Sequence, residues 1–171
     1  MVTQTLFCMF LGVLATQRLL ELERSRRNEE RMRAAGGQEH SPEHFGVMRA
    51  MHVAWFAAMP LEVFLLQRPF TPGLAAVGLA MLLAGQALRY HASRSLGWRW
   101  SVRIYTVPGL PLVRHGLYRY LRHPIYLGVA LELAGTPLIH GAWLTSLAFS
   151  LLNAAVLRVR IRAEERALEL A

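Results

Sequence analysis

A chain of 171 residues is long enough for one domain, and 54% hydrophobic residues with a positive mean hydropathy exclude an ordinary soluble one, so the bilayer is the expected solvent. The formal net charge of +8 comes from nineteen basic and eleven acidic residues, all Arg and all Glu; the arginines alternate with long apolar runs, which argues against nucleic-acid binding. The single cysteine, Cys8, lies in the first apolar run and excludes an internal disulfide or a thiolate metal cluster.

The first apolar stretch covers residues 2–20. It lacks the leading positive charges and small-residue cleavage site of a secretory signal, so it is expected to remain as a spanning helix. The charged run 21–33 reads as the same helix leaving the membrane, ended by Gly36-Gly37. A second span is expected over 47–66 with Pro60 inside it, and a third over 72–88. Residues 89–123 then read as a polar loop rich in Arg, Trp and Tyr. The last apolar stretch, 125–157, is too long for one span; Gly135-Thr136-Pro137 and His140-Gly141 divide it into a tight helical hairpin. The expected fold is an all-α integral membrane bundle of about five transmembrane helices with a cytoplasmic loop and C-terminal helix.

The loops give an orientation. Eighteen of the nineteen arginines fall in or beside the first loop, the third loop and the tail, whereas the second loop has only Arg68 and the hairpin turn has none. Cytoplasmic loops are enriched in basic residues, so the N-terminus is expected outside and the C-terminus in the cytoplasm.

Chemistry concentrates in two places. Residues 116–128 join Arg119, Arg122, His123 and Tyr126 to a helix start at Pro124, and a helix N-terminus beside Arg and His attracts carboxylates and phosphates. Arg119 and Tyr120 also suit a juxtamembrane anchor belt. Arg160, Arg162, Glu164, Glu165 and Arg166 lie on a helix leaving the last span, where ion pairs three and four residues apart are available. Two carboxylates, Glu62 and Glu132, fall inside spans, where an ionisable group must face protein or water; Glu132 lies two turns inward from Arg122 and His123. GxGxxG, Walker A, HExxH and GxSxG segments are absent. The histidines are scattered, and no metal site is expected.

The run Leu88-Arg89-Tyr90, Leu96-Gly97, Pro108-Gly109 and Val113-Arg114-His115-Gly116-Leu117-Tyr118 precedes Arg122-His123-Pro124-Ile125-Tyr126-Leu127-Gly128, Glu132 and Glu164-Glu165. This order resembles the isoprenylcysteine carboxyl methyltransferase family over residues 80–170. The resemblance implies a membrane methyltransferase with an S-adenosylmethionine pocket built from the loop, the RHPxYxG block and the C-terminal helix. It assigns His115, Gly116, Tyr118, Arg122, His123, Tyr126 and Glu164 to the cofactor, and Arg160 and Glu165 to catalysis near the acceptor. It divides the chain into an N-terminal two-helix membrane region, 1–70, with a basic cytoplasmic loop, and a catalytic core, 71–171.

The N-terminal part, with Arg18-Leu19-Leu20-Glu21-Leu22, Ser25-Arg26-Arg27-Asn28, Glu39-His40, His44-Phe45, Met48 and His52, is similar to a bacterial subgroup linked to type III polyketide synthases. That similarity implies O-methylation of a long-chain alkylpyrone or alkylresorcinol hydroxyl. The acceptor would be lipophilic and enter laterally from among the membrane lipids; Glu132 and His52, with His44 and Glu62, are expected toward it because they are polar groups in or beside the spans. Two other readings use the same basic loop: an NADPH-dependent membrane reductase that holds phosphates there, and a non-enzymatic scaffold that binds anionic lipid.

Overall fold

The computed structural model describes residues 2–170 and is built from five helices. They are α1 (Val2–Ala34), α2 (Glu43–Leu65), α3 (Pro72–Leu96), α4 (Pro124–Leu138) and α5 (Trp143–Leu170). Among the described residues, three helical stretches are long and apolar enough to cross a bilayer by themselves: Val2–Ala34, Pro72–Arg99 and Trp143–Leu168. α2 carries Arg49, His52 and Glu62 among its apolar residues. α4 has 15 residues, about 22 Å of helix against a hydrocarbon core of about 30 Å. These two complete the bundle against the longer three.

α1 continues past the apolar stretch, as the charged run implied, and stops where Gly36 takes φ +79° and the Gly37 N–H bonds Met32 O at 2.8 Å. Two boundaries differ from expectation. α3 extends about two turns beyond residue 88, so the polar loop begins at Gly97 and Arg89 is a helical residue. Gly135, Thr136 and Pro137 stay inside α4, and the hairpin turns at 139–142. Pro137 is tolerated because the carbonyl its missing N–H would have bonded, Leu133 O, accepts the indole N–H of Trp55 from α2 at 3.2 Å.

α3 and α4 approach closely along glycines spaced seven apart on both helices. A Cβ on Gly78 would lie 2.6 Å from Gly135 O, and one on Gly85 would lie 2.6 Å from Gly128 O. The apolar core beside this pair joins Phe7 and Leu11 of α1, Met51, Trp55, Met59 and Val63 of α2, and Leu133 of α4.

A feature the sequence did not announce is a two-stranded antiparallel sheet of Gln38–His40 (β1) with Ile104–Thr106 (β2). It seats the polar loop on the end of α5, where Ile104 packs with Ala163 and Ala167. The projecting part of α1 holds the same loop: Asn28 Nδ2 donates to Trp100 O at 2.8 Å, the Ser25 hydroxyl accepts the Val102 N–H at 2.9 Å, and Ser101 donates to Glu29 at 2.7 Å. These bonds hold the loop over the end of the bundle.

Candidate active site

The RHPxYxG block and the C-terminal helix, separate in sequence, meet in the fold. Pro124 occupies the first turn of α4 and sets Tyr126 and Gly128 on the helix just behind His123. The Tyr126 hydroxyl donates to Glu164 and accepts from Arg160 Nε at 3.1 Å, while the second arm of Arg160 donates to the Val102 carbonyl of the loop. Arg160 is buried, and these acceptors make its burial tolerable. His123 stacks on Tyr126 with ring centroids 5.5 Å apart and lies 3.2 Å from Glu165 and 3.9 Å from Glu164. Loop, helix start and C-terminal helix are thus tied through one chain of polar contacts.

The remaining loop residues lie around this group. Gly116 opens a short 3-10 turn, Gly116–Arg119, with φ +60°, and a Cβ there would run into the Ser95 hydroxyl. Tyr118 follows on that turn, and burial beside the Glu164 carboxylate pushes its phenol well above the usual range, so it stays protonated. Arg122 is 90% exposed with its guanidinium 4.0 Å from Glu165. His115 is exposed at the turn's edge. On the outer side of the turn, His91, Arg94, Ser95, Gly116, Arg119 and Tyr120 line a surface cleft of about 670 Å³.

Glu132 and His52 lie deeper than this group. Glu132 accepts from Arg18 of α1 and, at 2.8 Å, from Arg89 of α3; both arginines also bind Glu21, at 2.6 and 2.5 Å. Gln17 and Gln86 bond each other at 2.7 Å beside them. Arg18 and Arg89, which by sequence fall with the basic loops, are therefore counter-ions inside the bundle. The signal was present: a glutamate in an apolar run needs a partner, and an arginine within a turn or so of a span end can supply one. His52 bonds the Met48 carbonyl at 2.8 Å through Nδ1 and meets Trp55 edge-on.

Glu62 belongs to the opposite end. It accepts the Thr145 N–H at 2.6 Å, the Thr145 hydroxyl at 2.7 Å and Arg68 at 3.0 Å. It caps the start of α5 from a neighbouring helix, which gives this carboxylate a structural explanation. His44 lies beside Glu43 at 3.6 Å at the start of α2. No cluster of three or more His, Cys or Glu suited to a metal occurs among the described residues.

Comparison with known proteins bears on the half of the chain that holds this geometry. Residues 77–170 match the isoprenylcysteine carboxyl methyltransferase family. The chain belongs to the isoprenylcysteine carboxyl methyltransferase family. The solved structure of the eukaryotic intramembrane Ras methyltransferase of that name is similar to it, with a TM-score of 0.53 and 27% identity over 77% of this chain and 47% of that one. A probable protein-S-isoprenylcysteine O-methyltransferase from rice, Oryza sativa subsp. indica, is 33% identical over 91 residues, 52% of this chain and 48% of the rice protein. The chain thus spans about half the length of these two methyltransferases. Along nearly its whole length it resembles the uncharacterized protein YpbQ of Bacillus subtilis (strain 168), at 36% identity over 96% of this chain and 97% of that protein. Membership of the isoprenylcysteine carboxyl methyltransferase family, with three helical stretches long and apolar enough to cross a bilayer among the described residues, makes this chain a multi-pass membrane protein of that family, and every residue tied together around Arg160 and Tyr126 lies within or between α3 and α5.

Proposed function

We propose that the chain transfers a methyl group from S-adenosylmethionine to a hydroxyl of a lipophilic acceptor, a long-chain alkylpyrone or alkylresorcinol of the kind a type III polyketide synthase supplies. The reaction would take place at the cell (inner) membrane, with the N-terminus outside and the C-terminus cytoplasmic, the orientation that the arginine distribution favours. The single observation that carries the reading is the convergence of His123, Tyr126, Arg160, Glu164 and Glu165 at one end of the bundle.

The donor set fits the cofactor. Glu164 and Glu165 can accept from an ammonium, His123 and Arg122 can meet a carboxylate, and the stacked faces of His123 and Tyr126 suit a cationic sulfur centre. When bound, S-adenosylmethionine supplies a methyl group carried on a sulfonium. The residues of this chain then position and shield. Tyr126, held between Arg160 and Glu164, keeps the Glu164 carboxylate in place. The loop, pinned by Asn28, Ser25 and Arg160, would help to exclude water from the reacting atoms, and holding two reactants in line would add to the rate. An acceptor with an alkyl tail can leave that tail among lipids while its polar head reaches the end of the bundle.

Calorimetry of S-adenosylmethionine and of NADPH on detergent-purified protein tests the reading, with His123→Ala and Glu164→Gln as controls. Saturable binding of the methyl donor, weakened in both variants, is the expected result. Binding of NADPH alone would replace it with a reductase, and binding of neither with a lipid-binding scaffold.

A further inference from the structure

Arg94 and Arg119 stand apart from the other charges at this end of the bundle. Arg18, Arg89, Arg103 and Arg122 each have a glutamate within 4.0 Å. Among the described residues, no glutamate pairs with Arg94 or Arg119. Arg94 donates to the Tyr90 hydroxyl at 2.7 Å and lies over that ring at 5.4 Å, and Arg119 lies over the Tyr120 ring at 5.7 Å. One comes from α3 and the other from the 3-10 turn, yet both line the cleft of about 670 Å³ together with His91 and Tyr120. Among the described residues, no glutamate lines it. Guanidiniums held on one cleft without a counter-ion repel each other, and an anion received between them removes that cost.

A juxtamembrane anchor also uses Arg and Tyr, but it needs neither a concave site nor cations from two elements. The approach to the cleft selects the kind of anion. Ala80, Leu83, Ala87, His91 and Arg94 are exposed and follow one another along α3 at steps of three or four residues, so they share one face of the helix. From Leu83 to Arg94 this face rises about 16 Å, from the apolar part of a span to its charged end. Leu117 adds an apolar side chain to the cleft itself. A ligand in the cleft therefore meets cations at its head and an apolar strip below. That combination matches an anionic phospholipid, whereas a free phosphate compound leaves the strip unused.

We propose that the cleft between the end of α3 and the turn Gly116–Arg119 is a binding site for an anionic phospholipid, its phosphate held by Arg94, Arg119 and His91 and an acyl chain lying along Leu83 and Ala87. The two guanidiniums donate to phosphate oxygens, and the His91 ring adds a third N–H donor. A zwitterionic lipid presents the same phosphate with an ammonium attached, which brings a further cation toward the arginines and is bound less well. The site is independent of the proposed reaction, and it is one cleft, not the arginine-rich face as a whole.

Native mass spectrometry of the full chain, released from detergent micelles, tests the site with dioleoylphosphatidylglycerol, dioleoylphosphatidylcholine and glycerol 3-phosphate as probes. Phosphatidylglycerol is expected to bind saturably and about tenfold or more tighter than phosphatidylcholine, and glycerol 3-phosphate at equal concentration should not displace it. Arg94→Gln combined with Arg119→Gln should weaken phosphatidylglycerol binding by about tenfold or more. Arg158→Gln combined with Arg162→Gln, exposed on α5 and outside the cleft, should change it by less than about threefold. Equal losses in the two double variants would reveal diffuse attraction to the basic face and overturn the proposal. No preference for phosphatidylglycerol over phosphatidylcholine would do the same. Displacement of the lipid by glycerol 3-phosphate, S-adenosylmethionine or NADPH would assign the cleft to a soluble ligand and also overturn it. Should the Arg94 and Arg119 double variant fail to fold, His91→Glu places a carboxylate on the exposed wall of the same cleft, and unchanged phosphatidylglycerol binding there would equally remove the idea.

Discussion

Tyr126 joins three segments through one oxygen, donating to Glu164 and accepting from Arg160. Tyr126→Phe keeps the ring stacked on His123 but leaves a buried guanidinium short of an acceptor, a loss of about 1–3 kcal/mol. The expected outcome is an S-adenosylmethionine affinity lowered by roughly tenfold or more, read by calorimetry, with the helical content unchanged. Gly128 is constrained differently. A Cβ there would meet Arg89 Cγ at 2.6 Å and Gly85 O at 2.8 Å, and the second of these is backbone that cannot swing away. Gly128→Ala should therefore cost about 1–3 kcal/mol through overpacking and lower the thermal midpoint, and it should also displace Arg89 from Glu132.

At the scale of elements, the projecting part of α1 behaves as a brace for the loop. Ser25, Asn28, Glu29 and Met32 are buried on one side of it, facing residues 97–106, while Glu23, Arg26 and Arg27 pair on the solvent side. Asn28→Ala removes the bond to Trp100 O and leaves that carbonyl unpaired. Faster amide exchange confined to the loop and β2, with the spans still protected, is the expected result of hydrogen-exchange mass spectrometry. α5 is braced at its other end by Glu62, which takes up N–H groups that a helix start leaves without partners. Glu62→Ala should destabilise the bundle by about 1–3 kcal/mol, seen as a lower thermal midpoint, without changing S-adenosylmethionine affinity, because the cap and the residues proposed to hold the methyl donor lie at opposite ends of α5.

For the whole molecule, the proposed orientation puts the N-terminus outside and the C-terminus in the cytoplasm, as the arginine distribution favours. The arginine-rich ends of α1, α3 and α5 gather on the side of the His123, Tyr126 and Arg160 cluster, while Arg68 lies at the other, against Glu62 and over the Trp143 ring at 4.9 Å. In a Cys8→Ala background, a cysteine at Gln67 should react with an impermeant maleimide on intact cells, and a cysteine at Arg166 only after permeabilisation. The reverse pattern would place the proposed reaction on the outer face.

The sequence alone determined the helical membrane class, because apolar runs of about twenty residues leave the backbone no other way to satisfy its hydrogen bonds in lipid. It also determined the family, since the RHPxYxG block and the Glu164-Glu165 pair are local patterns that need no contact map to be read. Helix ends were less legible: tertiary contacts carried α3 past residue 88, and Trp55, 78 residues before Leu133, rescued the carbonyl that Pro137 leaves unpaired in α4. The glycines at 78, 85, 128 and 135 carried a readable seven-residue spacing, but which helices they bring together is a property of the fold. Only the tertiary structure decided the partners of the buried charges. Coulomb attraction and desolvation depend on distance and burial, not on separation along the chain, so Arg18 and Arg89 read as loop charges until the bundle placed Glu132 between them.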